Sequence, residues 1–282
     1  MSGTPIFAVD LGATWLRSAV VLAGDIKTDT LQRSPTPSEP AECAEHLDAA
    51  WRSAGRPGRI AIAAAPELQP DSTVRRWPNR PEWLGQPLLS AEMKRLRPTL
   101  IDDATAASLS AAAKLCPGGR GTVVCLSVGT GIGGGAVVEG RPLLGRTGAA
   151  MDAGHIPVPA ARGASCRCGR RGCLQAVASG RSLAMLEASA GRHSPAYRTG
   201  RRRAIRALAE AYAILHALFD ADAYAVAGGL GLSGLQTDLN QTLAHRGRPI
   251  NVVPHPDGSG AALVGAALAA GLTERATKNL LL

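Results

Sequence analysis

Apolar residues along this chain fall into short runs that end in glycine, aspartate or a hydroxyl residue, separated by longer stretches with helical spacing. The first two runs flank a polar bend in Pro5-Ile-Phe-Ala-Val-Asp10-Leu-Gly12-Ala-Thr14-Trp-Leu-Arg17, continuing to Leu22, and predict a β-hairpin. Ala41 to Ser53 has helical spacing, and Arg59 to Ala65 reads as a buried strand. Pro66 to Trp83 reads as a Pro-rich loop near three tryptophans, Trp51, Trp77 and Trp83, of the kind that is functional or mobile. A short strand, Pro98 to Ile101, ends at Asp102-Asp103, ahead of a helix from Ala106 to Leu115. Thr122 to Leu126 is a strand entering a glycine-rich loop, Gly129 to Gly135, and helices are expected at Arg181 to Ala190 and Arg202 to Phe219. A strand from Tyr224 runs into Gly228-Gly229-Leu-Gly231, followed by a helix at Leu235 to His245, a strand at Ile250 to Val253 and a helix at Gly260 to Leu272. Strands and helices in alternation, with three strand-to-glycine turns, predict an α/β fold whose ligand loops gather at strand ends. No solenoid-period repeat is visible.

Composition narrows the class. A chain of 282 residues, 45% hydrophobic and 19% charged, is globular and long enough for two domains. No apolar run has the length of a transmembrane span, and Met1 to Pro5 is too short and polar to open a signal peptide, so a cytoplasmic location without membrane contact is expected. The net charge of +9 raises the question of nucleic acid. Its arginines are spread along the chain apart from one cluster, Arg198 to Arg206, which reads as the solvated start of a helix. Aromatics at 3% offer few stacking platforms, and no helix-turn-helix pattern precedes Phe7, so no nucleic-acid partner is expected. The basic balance suits a phosphorylated ligand equally well.

Candidate chemistry concentrates between Gly129 and Gln175. The glycine-rich turn can present backbone N–H groups to an anion, although glycines also serve ordinary hairpins. Cys166-Arg-Cys168-Gly-Arg-Arg-Gly-Cys173, with His155 before it, supplies the Cys3His set of a closed tetrahedral zinc site. A disulfide framework is the other reading, but it would need an oxidising compartment and usually a small secreted domain. Cys43, Cys116 and Cys125 lie in apolar contexts and read as buried free thiols. At the first bend, Asp10 is a candidate partner for a divalent ion and Gly12 to Thr14 for a phosphate, against the alternative of an ordinary polar turn. Asp102 and Asp103, at a strand's carboxyl end beside a helix start, suit a general base, against the alternative that Asp103 is the N-cap.

Taken together these motifs resemble the ROK family (repressors, open reading frames and sugar kinases), within the two-domain actin-like ATPase fold of hexokinase, ribonuclease H-like type. The matching segments are Asp10-x-Gly12-x-Thr14-x-x-Arg17, Asp102-Asp103-Ala-Thr105, Gly129-Thr130-Gly131-Ile-Gly133-Gly134-Gly135, Asp152-Ala-Gly154-His155, Cys166-x-Cys168-Gly-x-x-Gly-Cys173-x-Gln175 and Gly228-Gly229. The resemblance implies a small domain of 1–102 plus about 264–282, a large domain of 103–263 with the zinc motif, and a ligand cleft between them. It implies ATP-dependent phosphorylation of a hexose 6-hydroxyl with Mg²⁺ and a structural Zn²⁺. Asp103 aligns with the catalytic aspartate. Asp10 would hold hydrated Mg²⁺, Gly12, Thr14, Thr130 and Gly131 the phosphates, and Gly228 and Gly229 the adenosine. Asp102, Asp152, His155 and Gln175 align with sugar-contacting positions, and His155, Cys166, Cys168 and Cys173 with the zinc ligands. A homodimer or homotetramer is the family expectation.

Three departures bear on the acceptor. The family usually carries Asn, Glu and Glu where this chain has Asp102, Asp152 and Gln175, and a further Gly is Ala13. A carboxylate at Asp102 can only accept hydrogen bonds and favours a cation, which fits an ammonium at C3 of the sugar, as in kanosamine (3-amino-3-deoxyglucose). Glucose and a C7 cyclitol are the enzymatic alternatives. A ROK-type repressor, which would need a DNA-binding segment before Phe7, and a non-catalytic sugar sensor are the others.

Overall fold

A computed structural model describes residues 4–230, 234–245 and 250–272, with Leu230 described by its backbone alone. Gly231 of the third glycine turn, and 273–282 of the C-terminal segment expected in the small domain, lie outside the described residues. In chain order the strands are β1 (Ile6–Leu11), β2 (Trp15–Leu22), β3 (Asp25–Ile26), β4 (Gln32–Pro35), β5 (Ile60–Ala64), β6 (Glu67–Leu68), β7 (Val74–Arg76), β8 (Thr99–Asp102), β9 (Thr122–Val128), β10 (Ile132–Val138), β11 (Arg141–Pro142), β12 (Ala223–Ala227) and β13 (Val252–Pro254). The α-helices are α1 (Pro40–Ser53), α2 (Ala91–Arg95), α3 (Asp103–Leu115), α4 (Gln175–Ala178), α5 (Gly180–Ala190), α6 (Pro195–Phe219), α7 (Gly228–Leu230), α8 (Gln236–His245) and α9 (Ala261–Gly271). Two compact units result, one of Met1–Ser110, Leu144–Ala150 and Gly260–Leu282, the other of Ala111–Leu143 and Met151–Ser259, taken over the described residues.

The first unit is built on a sheet of order β3-β2-β1-β5-β8, with β4 also pairing β2. β1 runs antiparallel to β2 and parallel to β5, which runs parallel to β8. Every residue of β1 and β5 is buried, as expected of strands covered on both faces. α9, apolar all round, packs against β1 and β5 and is buried over most of its length. It lies so close to α3 that a Cβ on Gly265 would fall 1.7 Å from Ala106 O, which only glycine avoids. α1 contributes Cys43, Leu47 and Trp51 to a core that also holds Trp77, Trp83 and Leu88. The segment Pro66–Trp83 is therefore not the open loop that its prolines suggest. It carries the β6–β7 hairpin, and Trp77 and Trp83 are 3% and 0% exposed, packed edge to face.

The second unit repeats this strand order as β11-β10-β9-β12-β13, again an antiparallel group followed by two parallel strands. β10 corrects the expected glycine loop, because Gly133, Gly134 and Gly135 pair with β9 and only residues 129–131 form the turn. α6 begins earlier than its apolar pattern indicates, at Pro195 behind the N-cap Ser194, whose hydroxyl accepts from Tyr197 N. The arginine cluster thus lies within a helix, and most of its members make intramolecular contacts. Arg201 pairs with Asp238 at 2.6 Å, Arg203 donates to Ala160 O at 2.6 Å, and Arg206 faces Glu210. Cys43 and Cys125 are buried thiols, but Cys116 is only half-buried because it follows the end of α3. No helix of the described residues is long and apolar enough to cross a membrane.

Candidate active site

On the first unit, β1 ends in the turn Gly12–Thr14, closed by Gly12 N donating to Trp15 O at 3.0 Å. Asp10 is buried one residue before the end of β1, and its register partner Arg17 donates from Nη1 to Asp10 Oδ2 at 2.8 Å. Burial raises the Asp10 carboxyl above its ordinary range while Arg17 pulls it back. At the end of β8, Asp102 is exposed and accepts on Oδ2 from Thr105 N at 2.8 Å and Thr105 Oγ1 at 3.0 Å. Asp102, not Asp103, is thus the N-cap of α3, since the strand delivers it in extended geometry just before the first turn. Asp103, the first residue of α3, is half-buried. Burial raises its carboxyl well above the usual carboxylate range, and the charges of Asp102 and Asp10 push it in the same direction. A carboxyl raised in this way is a stronger base than an ordinary carboxylate and is better suited to accept a proton.

On the second unit, the turn of Gly129, Thr130 and Gly131 is held from behind by the start of α5. Gly180 N donates to Gly129 O at 2.7 Å and Arg181 N to Thr130 O at 3.3 Å. Gly228, at the carboxyl end of β12 with φ +82°, lies so close to β9 that a Cβ would meet Val128 O at 2.6 Å, and Gly229 beside it is exposed. The turn bearing Asp152 and His155 reaches β10 through a second tight approach, where a Cβ on Gly154 would fall 2.1 Å from Ile132 O.

His155, Cys166, Cys168 and Cys173 come together, with their ligand atoms all within 4.8 Å of one another. Cys168 Sγ and Cys173 Sγ are 3.7 Å apart, and His155 Nδ1 is 3.7 Å from Cys166 Sγ. A zinc tetrahedron with bonds of about 2.3 Å to sulfur has edges of about 3.8 Å, so this donor set fits the ion. Gly169 and Gly172, both at positive φ, turn the chain between the cysteines. The other nitrogen, His155 Nε2, is 3.8 Å from Asp152 Oδ2 and 3.4 Å from Gln175 Nε2. The Gln175 amide also donates to Cys166 Sγ at 3.5 Å, and its Oε1 accepts from Ile132 N at 3.4 Å. Gln175 therefore ties the cysteine cluster to the glycine turn, which its position in the sequence did not announce. Two further residues had passed unnoticed: Thr36 and Arg80, both bonded to the turn of Gly12–Thr14. The signal for Arg80 was an arginine bracketed by Trp77 and Trp83 in a Pro-rich segment.

The sequence model of the ROK family matches residues 6–271. The chain belongs to the ROK family. Among relatives of this ROK protein, kanosamine kinase of Amycolatopsis mediterranei (strain S699) is 32% identical over 184 residues, covering 63% of this chain and 60% of that one. A glucokinase of Thermotoga maritima is 32% identical over 192 residues, covering 63% and 58%. The chain thus spans less than two thirds of the length of these two relatives. Among solved structures, the ROK family glucokinase of Streptomyces griseus in complex with glucose and AMPPNP superposes with a TM-score of 0.76 at 26% identity, covering 93% of this chain and 98% of that one. The fold is accordingly the two-domain actin-like ATPase fold of the ROK glucokinases and hexokinases.

Proposed function

We propose that this chain is an ATP-dependent hexose kinase that transfers the γ-phosphoryl group to a sugar 6-hydroxyl, with an aminohexose such as kanosamine as acceptor. The observation that carries the reading is Asp103, a half-buried carboxylate raised in pKa at the start of α3. Its relatives named as kanosamine kinase and glucokinase support the sugar class.

In this reading Asp103 accepts the 6-hydroxyl proton as the O6–phosphorus bond forms and the bond from the γ-phosphorus to the bridging oxygen breaks, leaving ADP; the proton then passes to solvent. Asp10, Gly12, Thr14, Thr130, Gly131, Gly228 and Gly229 position the nucleotide. Mg²⁺, when bound, supplies charge neutralisation at the phosphates, and Asp10 would hold it through water. His155, Cys166, Cys168 and Cys173 would hold Zn²⁺, with Nδ1 of His155 as ligand and Nε2, Asp152 and Gln175 left to orient the sugar. Asp102 gives the aminosugar preference, since its carboxylate favours an ammonium over a neutral hydroxyl.

A phosphorylation screen over glucose, 2-amino, 3-amino and N-acetyl hexoses and C7 cyclitols tests the proposal. Turnover with a 3-amino hexose above that with glucose is expected. Preference for glucose overturns the aminosugar assignment, and turnover with none of the panel overturns the kinase reading in favour of a sugar sensor.

A further inference from the structure

We infer that Arg80 is the positioning residue of the Gly12–Thr14 turn and sets nucleotide affinity from behind it, an inference that rests on the kinase reading above. The guanidinium donates to Ala13 O from Nε at 3.3 Å and Nη2 at 3.1 Å, to Thr36 O from Nη2 at 3.0 Å and to Pro37 O from Nη1 at 2.6 Å. It lies 5.6 Å from the ring centroid of Trp77 and 5.3 Å from that of Trp83. Trp83 is anchored in turn by donation from Nε1 to Ser38 O at 2.8 Å.

Thr36, which Arg80 holds by its carbonyl, completes the arrangement. Thr36 Oγ1 donates to Gly12 O at 2.7 Å, and Thr36 N donates to Thr14 O at 3.0 Å. Three successive carbonyl oxygens of the turn, those of Gly12, Ala13 and Thr14, are thus each drawn onto a donor. Carbonyl oxygens carry partial negative charge, and a turn free to rotate would present some of them to an approaching phosphate. Fixing all three keeps those oxygens engaged and holds the turn in one orientation, and the cation behind it adds to the attraction for an anion. The aromatic walls lower the local dielectric and strengthen both effects. In the second unit the equivalent turn is held by backbone amides at the start of α5, which no side-chain substitution other than proline removes. In the first unit the same task falls to a side chain, so it can be tested directly. Lysine cannot replace it fully, because a point charge lacks the planar fork that reaches three carbonyls.

The test measures Mg²⁺–AMPPNP binding by calorimetry, amide hydrogen exchange of the turn in the nucleotide-free protein, and steady-state constants, for wild type, Arg80→Met and Arg80→Lys. Arg80→Met is expected to weaken Mg²⁺–AMPPNP by about tenfold or more, and Arg80→Lys by about three- to fivefold. Exchange across the turn should accelerate in both variants without nucleotide. The KM for ATP should rise by the factor seen in binding while the KM for sugar stays within about twofold, a split that a general loss of folded protein would not produce. If Arg80→Met does not fold, Arg80→Lys carries the test. Unchanged affinity and exchange in the variant that folds overturn the role of Arg80 and leave the kinase reading standing. Wild-type protein that binds no Mg²⁺–AMPPNP overturns both.

Discussion

Asp102 holds Thr105 by two hydrogen bonds at once, its Oδ2 accepting from the threonine N–H at 2.8 Å and from Oγ1 at 3.0 Å. The proposed acceptor-selecting residue is therefore also the cap of the helix that begins with Asp103. Asparagine caps a helix about as well as aspartate, so exchanging the two alters charge without unfastening α3.

Asp102→Asn should leave the melting temperature almost unchanged while lowering the ratio of kcat/KM for the 3-amino sugar over glucose by roughly tenfold or more. Because the Asp102 charge raises the Asp103 carboxyl, the same variant should move the acid limb of the pH–rate profile to lower pH. A ratio that stays put removes the charge-assisted contact, and an unmoved acid limb removes Asp103 as the group being titrated.

Asp103→Asn should cut turnover by a factor on the order of 10² or more. Its effect on stability has the opposite sign. The folded-state pKa of Asp103 is raised, so the protonated form contributes stability that is full below the unfolded value of about 3.9 and is lost as pH climbs through the folded value. Asparagine mimics the protonated form at every pH. The variant should therefore melt higher than wild type at pH 7.5, with the gain shrinking toward acid, as differential scanning calorimetry across that range would show.

Protein purified without chelator should carry about one equivalent of zinc by elemental analysis, and less than about half an equivalent argues against the site. Cys166→Ser or Cys173→Ser should release the metal and lower stability, because ligand binding energy is folding energy in such a cluster. Gln175→Glu exchanges a donor to Cys166 Sγ for a negative charge beside it, so zinc should pass to a chromogenic chelator faster, by roughly tenfold. Release at the wild-type rate would show that the amide does not support the cluster.

Gly265→Ala forces a Cβ toward Ala106 O, where only 1.7 Å is available, and should destabilise by about 1–3 kcal/mol or more. Since α3 also carries Asp103, kcat of the folded fraction should fall too. A variant with wild-type melting and wild-type kcat would mean that the two helices part without consequence.

The carboxylates, glycine turns and cysteine cluster stood out in the sequence because each has a local signature, whether a charge at a strand end or thiols at ligand spacing. Where tertiary context decides, the letters were silent. Gly133 to Gly135 look like loop residues, yet pairing with β9 makes them strand, and Gly134 is needed because Ala153 packs against that face. Pro66 to Trp83 looks open, yet two tryptophans pull it into a core. In the sequence Asp103 is the candidate cap, and only the course of β8 assigns that role to Asp102. The matching strand orders of the two units do not show as a fixed-period repeat in the sequence, because backbone pairing constrains apolar pattern more than side-chain type.

The placement of α9 carries a consequence for synthesis on the ribosome. β1, β5 and β8 emerge early, together with Asp10, Asp102 and Asp103, but the helix that covers β1 and β5 and seats against Ala106 comes only after the whole second unit has been made. Until then the first sheet has an apolar face open to water, and α3 lacks its brace. The nascent first unit should depend on shielding by a holdase-type chaperone, and Asp103 should reach its folded setting only after the second unit has been translated.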